Sequence, residues 1–481
     1  MNKYLLIFFY AFTFFTANAQ LNYSLEDIII KARGQSPRAK QAETRRENRF
    51  WQYKYYRSNY NPQLRLQGNT PGYNRDYNQN RLDDGSIIFQ EQEQTFTYAN
   101  LSLQQPIALS GGQISVNSDV YRWKNIPADL RSWNSTVVNI RLDQPLFGFN
   151  ILKWDRMTEP LRYEESKRAY VEEMEFISSL AVDLFFDYLD AQIGFDIANF
   201  NLSRNDTIYN IEQGRYNIGT TSRDKLLQVE LQLLRSKQQL TQAKLDLQTS
   251  ELEMKTFIGI NDDIVFDLII PDQLTTLDVN IEEALAHASA NRSDFISFER
   301  RRLEANKQVA QAKSDRYQLN MTASYGLTGT GIDLGTSYEQ PNSQQRLNVQ
   351  FNIPIIDWGR NKTRMKTALA NKKLEDYIIA QDEQTFLREI ISLVSQFEVL
   401  KSQIEISQKS DLVAQERYNV SQNQYLIGKI DITNLNIALT EKDEAKRSYL
   451  AALRSYWKAY FELRRLTLYD FANKELLYTL E

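Results

Sequence analysis

The sequence contains no cysteine. Neither disulfides nor thiolate metal sites are therefore available to it. It has one histidine, His287, set among Ala286, Ala288 and Ser289. A lone packed or surface histidine is the ordinary reading of such a residue. No nucleophile motif, phosphate-binding loop or metal-ligand cluster is found. No catalytic, cofactor-binding or metal-binding residue is therefore assigned, and the chain is not read as an enzyme. The net charge is only −4, which excludes a large basic field for nucleic acid. No internal apolar run is long enough to cross a bilayer as a helix.

The start of the chain reads as a secretion signal. Lys3 supplies the positive charge, Tyr4 to Phe15 the apolar run, and Ala17-Asn18-Ala19 a small-residue cleavage site. A cut there would begin the mature chain near Gln20. No cysteine follows the cut, so no lipid-modified N-terminus is expected.

The dominant feature is a heptad-patterned stretch from about Tyr163 to Ile258. Every seventh residue outward is apolar or aromatic: Ala181, Tyr188, Phe195, Leu202, Tyr209 and Tyr216. After a turn at Asn217 to Ser222 the returning series is Leu226, Leu233, Leu240, Leu247 and Met254. A period of seven belongs to helices that wind around each other. The outgoing helix would be about 80 Å long at 1.5 Å per residue. The hairpin recurs 209 residues on. There the outgoing series is Ile390, Phe397, Ile404, Asp411, Tyr418 and Tyr425, and the return is Leu435, Lys442, Tyr449, Tyr456 and Leu463. The turns align as well, Tyr216-Asn217-Ile218-Gly219 against Tyr425-Leu426-Ile427-Gly428. Small residues also repeat by sevens, Ala438, Ala445, Ala452 and Ala459, matched by Val229, Ser236, Ala243 and Ser250. Two adjacent seams suit a helix between two neighbours in a cylinder wall. A two-helix coiled coil with a wide stripe is the alternative.

Each half opens with a further helix. Ser24, with Asp27 three residues on, has capping-box spacing, and Pro37 breaks the first helix into two pieces. Leu25-Glu26-Asp27 resembles Ile281-Glu282-Glu283 at an offset of 256. Alternating strands follow. The second half offers one hairpin, with Leu319, Met321, Ala323, Tyr325 and Leu327 against Leu347, Val349, Phe351 and Ile353. Between them lies a loop from Gly329 to Gln345. The first half has room for two hairpins. Their strands start at Leu64 and Leu66, lead through Leu101 and Leu103 to Gln105-Pro106, restart at Ile114, Val116 and Val120, and end through Val138, Ile140 and Leu142 at Gln144-Pro145. Pro106, Pro145 and Pro354 are read as strand ends that let the chain turn into a following helix. Such strands suit oblique membrane crossing in a barrel. No open edge can face lipid, so several copies must complete the barrel. The runs Glu172-Glu173 and Arg300-Arg301-Arg302 read as solvated helix faces.

With these features in place, the chain resembles the TolC-like outer-membrane efflux proteins over nearly its whole mature length. The resemblance rests on the signal, the doubled helix–hairpin–helix plan and the segments Gln144-Pro145-Leu146-Phe147 and Ile353-Pro354-Ile355. It rests too on the paired turns, Tyr216-x-x-Gly219 with Leu226-Leu227 and Tyr425-x-x-Gly428 with Leu435. Phe149 to Trp154 and the Gln105-Pro106…Gly111-Gly112 element look similar to the Bacteroidetes branch. It implies a mainly α fold with a membrane β part: a homotrimer whose strands share one barrel in outer-membrane lipid and whose helices form a periplasmic tunnel. The expected plan is a signal at 1–19 and a first repeat at 20–260 (helix 24–60, strands within 62–146, hairpin 160–258). A connection at 261–279 leads to a second repeat at 280–481 (helix 280–318, strands within 319–354, hairpin 360–470).

The resemblance also implies a passive duct. Its hairpin turns would dock a periplasmic adaptor that links it to an inner-membrane pump. The docking residues would be Gly219, Thr220, Thr221, Gly428, Lys429 and Ile430. Tyr425 matches the tyrosine of the family's entrance latch, Asp224 its aspartate partner, and Lys429 stands for its arginine. Asp224 also fits a capping box with Thr221, and Asp431 fits a helix cap. Thr433 and Asn436 occupy positions where some relatives carry an acidic ring, so cation block is expected to be weak. The segment Thr95 to Trp123 is either an added barrel hairpin or a surface flap. A periplasmic adaptor and a structural coiled-coil surface protein are the competing readings. The first predicts a single hairpin, and the second leaves the strands unexplained.

Overall fold

The computed structural model describes residues 21–260, 266–271 and 279–478. The expected signal at 1–19 and most of the 261–279 connection lie outside the described residues. In chain order the elements are β1 (Leu21–Tyr23), α1 (Leu25–Gln35), α2 (Pro37–Ser58), β2 (Gln63–Arg81), β3 (Ile87–Ile107), β4 (Gly112–Asn125) and β5 (Leu130–Pro145). There follow α3 (Ile151–Asn217), α4 (Arg223–Ile258), β6 (Phe266–Leu268), α5 (Ile281–Asn291), α6 (Ser293–Ser314) and β7 (Gln318–Gly331). The last are α7 (Thr336–Glu339), β8 (Asn342–Asn352), α8 (Arg360–Leu426), α9 (Ile432–Thr467), β9 (Tyr469–Asp470) and β10 (Glu475–Leu476). Among the described residues no helix is long and apolar enough to cross a membrane.

The duplication is exact in length. Both α1 and α5 have 11 residues and both α2 and α6 have 22, at an offset of 256. Both α3 and α8 have 67 residues and both α4 and α9 have 36, at an offset of 209. The change of offset falls between the two sets, where the first half carries four strands and the second carries two. Both hairpin turns use a left-handed glycine, Gly219 at φ 78° and Gly428 at φ 76°. Ser24 and Asp27 form the expected capping box on α1, and Pro37 takes the first position of α2, where its missing N–H costs nothing. The helix expected over 280–318 is two helices that end at Ser314. It breaks at Arg292, whose extended backbone lets the guanidinium sit 4.4 Å from the Phe386 ring.

The described chain forms two compact units. The described residues of the first fall within 21–44, 170–291 and 388–478. Its core surrounds α3, where Ile177, Ala181, Val182, Phe185 and Leu189 are all buried. Burial of each larger side chain contributes about 1.5–3 kcal/mol. Strands β1 and β6 pair in parallel beside it, and the Tyr188 hydroxyl donates to the Phe266 carbonyl at 2.7 Å. Among the core residues lies a charged cluster. Glu175, wholly buried, accepts from Arg33 at 2.7 Å and Arg464 at 2.9 Å. Arg464 also donates to Asp470 at 2.7 Å and to the Tyr460 hydroxyl at 3.1 Å. His287 stacks on Tyr469 at 3.8 Å between ring centres.

The second unit, residues 45–169 and 292–387, contains a six-stranded antiparallel sheet in the order β2-β3-β4-β5-β7-β8. Thr95 to Trp123 is part of this sheet, hydrogen-bonded on both sides, and is not a flap. The register alternates whole rows. One row reads Leu64, Leu103, Val116, Ile140, Tyr325 across five strands. The next on the opposite face reads Arg65, Ser102, Asn117, Asn139. One face is thus apolar and the other polar. The outer edges of β2 and β8 have no neighbouring strand among the described residues.

Pro145 ends β5 and Pro354 lies just past β8; both precede a helix, capped by Asn150 and Asp357 through their side-chain oxygens. Pro106 does not. It stands one residue before the end of β3, and the turn closed by Gly111 N–H to Ile107 carbonyl returns the chain to β4. The left-handed Gly111, φ 73°, permits that reversal. The charge runs are only partly solvated: Arg302 is exposed as expected, whereas Arg300, Arg301, Glu172 and Glu173 are half-buried. Arg300 pairs with Glu165 at 2.5 Å, Arg301 with Glu375 at 2.6 Å and Arg302 with Glu383 at 2.7 Å, tying α6 to α3 and α8. In the first unit Glu173 pairs with Arg38 at 2.7 Å.

Candidate functional site at the ends of the helical hairpins

The heptad seams converge on the two turns. There Val229 of α4, Tyr418 and Tyr425 of α8, and Ile432, Leu435 and Leu439 of α9 form one buried cluster. Ile208 and Tyr209 of α3 and Ile430 of the second turn pack against it. All four long helices therefore meet in a single apolar knot. Below it the two charged residues that interrupt the heptad series are accommodated. Lys442 lies 4.8 Å from both the Phe200 and Tyr418 rings and pairs with Asp443 at 3.4 Å. Asp411 pairs with Lys446 at 3.4 Å. Asn201 reaches Asp443 at 2.9 Å and Asn205 reaches Ser236 at 2.6 Å.

At the knot sits a buried carboxylate, Glu212, 4% exposed. It accepts from the Tyr425 hydroxyl at 2.9 Å and from Arg215 at 2.7 Å. Arg215 also reaches the Leu426 carbonyl at 3.4 Å and lies 5.9 Å from the Tyr425 ring. Glu212 thus joins the end of the first outgoing helix to the end of the second. Burial raises its tendency to hold a proton and is the largest single influence. Hydrogen bonds from Tyr425, Arg215 and Thr221 together outweigh it and hold the carboxyl below its ordinary value. Burial, then the bond to Glu212, pushes the Tyr425 phenol well up, so it remains a donor.

The structure gives Tyr425 a different partner from the one expected. Asp224 is exposed in the first turn of α4, and Tyr425 binds Glu212 instead. Nor does Thr221 cap α4: Ser222 does, accepting from the Lys225 N–H, because its extended backbone places the hydroxyl over the helix end. Asp431 caps α9 through the Asn434 N–H at 2.9 Å. Gly219, Thr220, Gly428 and Lys429 are exposed at the turns, and Ile430 is half-buried. Thr433 is exposed and accepts from Gln228 at 3.5 Å, while Asn436 is half-buried. Glu212 was legible in principle. Ala198, Asn205 and Glu212 stand seven apart on a second seam, all buried, with Arg215 one turn beyond Glu212. Among the described residues no group of three or more His, Cys, Asp or Glu side chains could hold a metal ion.

The family model for outer membrane efflux proteins matches residues 28–260 and 284–467, one stretch for each half of the duplication. The chain belongs to the outer membrane efflux protein family. No curated protein matches the sequence directly. Among solved structures, the chain is similar to the Campylobacter jejuni CmeC outer membrane channel, with 15% identity, 95% of this chain and 87% of that one covered, and a TM-score of 0.67. It is similar to the outer membrane protein VceC from Vibrio cholerae, with 13% identity, 93% and 96% coverage and a TM-score of 0.62. The open-state Neisseria gonorrhoeae MtrE outer membrane channel gives 15%, 92% and 88%, and 0.62. This outer membrane efflux protein is the outer-membrane channel component of a tripartite efflux system. Its place is the outer membrane, and its family and fold are those of channel proteins.

Proposed function

We propose that three copies of the chain close one barrel and one helical tunnel, and that this assembly is a passive exit duct. The observation that carries the reading is the alternation of apolar and polar rows across a sheet with two open edges. An apolar outer face suits lipid and a polar inner face suits water. Six strands do not close, and open edges in lipid are prohibitively costly, so β2 of one copy meets β8 of the next. In this reading the turns carrying Gly219, Thr220, Thr221, Gly428, Lys429 and Ile430 dock a periplasmic adaptor, and an inner-membrane pump supplies the energy. The Glu212–Tyr425–Arg215 link holds the entrance closed. Asp224 and Lys429, exposed beside it, are free to meet neighbouring copies, and Thr433 and Asn436 line the opening without an acidic ring. An adaptor or a surface rod would have no use for the two-faced sheet.

The cysteine-free background makes the closure testable. Single cysteines placed on the apolar face of the edge strands, as Leu66→Cys and Val349→Cys in one chain, should crosslink between copies to dimers and trimers and nothing larger. Absence of intermolecular products, or a ladder beyond three, would overturn the three-copy barrel.

A further inference from the structure

The apolar face of the sheet changes character at the end remote from the helices. Along β4 the same face carries Ile114, Val116, Val120, then Arg122 and Lys124, in unbroken register with β3. Lys124 stands directly opposite Arg131 on β5, and Arg122 opposite Trp133, 5.5 Å from its ring. Two like charges directly opposed across strands destabilise a sheet unless something negative sits over them. Asp129 takes part of that role, pairing with Lys124 at 3.1 Å. Glu93, on the same face of β3, accepts from Tyr73 at 2.9 Å. Arg122 Nε, by contrast, has no hydrogen-bond partner among the described residues. At the helix end, the same face carries Gln105 and Gln144 in place of cations.

Ile114 to Lys124 is ten residue steps, about 33 Å along the strand and about 25 Å of membrane depth at the roughly 40° tilt of barrel strands. That is close to the roughly 25 Å height of a barrel's apolar band. The cations therefore stand where the hydrocarbon ends on the outer side, at the depth of lipid phosphates. We propose that Arg122, Lys124 and Arg131 bind the phosphate of an outer-leaflet lipid, with Trp133 against the boundary between its headgroup and acyl chains. Charge complementarity and continuity with the lipid-facing rows support that occupant. The proposal rests on reading the sheet as part of a membrane barrel.

The test uses native mass spectrometry of the full-length protein extracted in detergent. It is titrated with lipid A carrying its phosphate, with the same lipid after dephosphorylation, and with inorganic phosphate. The wild type should retain the phosphorylated lipid at least tenfold more tightly than the R122Q/K124Q/R131Q variant. The R122K/R131K variant, which keeps the charge, should bind within a few-fold of wild type. Equal retention by wild type and the glutamine variant would overturn the site. So would equal retention of the dephosphorylated lipid, or displacement by millimolar phosphate, which would mean a free-anion site. Unchanged channel conductance of the glutamine variant separates failure of the site from failure of the barrel reading, in which no variant would conduct.

Discussion

Replacing Glu212 by Gln and Tyr425 by Phe raises the time-averaged conductance of the channel by roughly tenfold or more. The reason is local. Glu212 connects the ends of α3 and α8, through Tyr425 at 2.9 Å, and it is buried. Hydrogen bonds to a charged group contribute about 1.5–3 kcal/mol. Removal of that much from a closed state shifts the open fraction by roughly ten- to a hundredfold, since about 1.4 kcal/mol is a factor of ten. Tyr425→Phe alone should give the smaller increase, because Arg215 still holds Glu212. Asp224→Ala, exposed at the turn, tests the other candidate partner in the same recording. If it opens the channel and Glu212→Gln does not, the latch lies between copies and not within one. The pH response follows the same link. The Glu212 carboxyl is held below its unfolded value, so its stabilisation is present above the ordinary carboxylate range and disappears as pH falls through the lowered value. Conductance should be flat with respect to this group above the ordinary carboxylate range and rise only as pH falls below that range.

Arg464→Met in the first unit should lower the unfolding free energy by about 3–5 kcal/mol. Glu175 has no solvent exposure, and its two cations are Arg464 and Arg33. Loss of Arg464 leaves a buried carboxylate half-compensated and Asp470 with only the Tyr460 hydroxyl and nearby backbone and amide donors. Burial pushes the Tyr460 phenol up to about 12, so it stays a neutral donor and cannot replace the lost charge. Arg302→Ala, whose pair with Glu383 is largely exposed, should cost about 0–1 kcal/mol. Thermal unfolding of the extracted protein distinguishes the two. A similar small loss for both would mean that water reaches the Glu175 cluster and that the charges are not held in the core.

The repeat was legible because it is carried by residues that pack. Ile390, Phe397, Ile404, Tyr418 and Tyr425 are all buried, and both hairpins have equal lengths in the two halves. The strands were legible from period-two alternation, and their apolar members do share one face. The partner of Tyr425 was not legible. The seam on α3 shifts toward the turn, so Tyr209 is only half-buried and Tyr216 is exposed, while Asn205 and Glu212 are buried. Polar residues at such positions do not register in an apolar heptad count. The roles of Pro106 and of the arginine run were hidden for a different reason. Whether a proline precedes a helix or a turn, and whether a charge meets water or a carboxylate 70 to 140 residues away, depends on tertiary pairing that local spacing does not encode.

The central claim is that three copies make one duct through the outer membrane. The most direct measurement is the mass of the protein extracted from outer membranes together with its conductance in a planar bilayer. The account predicts a species of three chains that gives small, steady channels, whose time-averaged conductance the Glu212→Gln and Tyr425→Phe changes raise. A monomer or dimer with no conductance would contradict it.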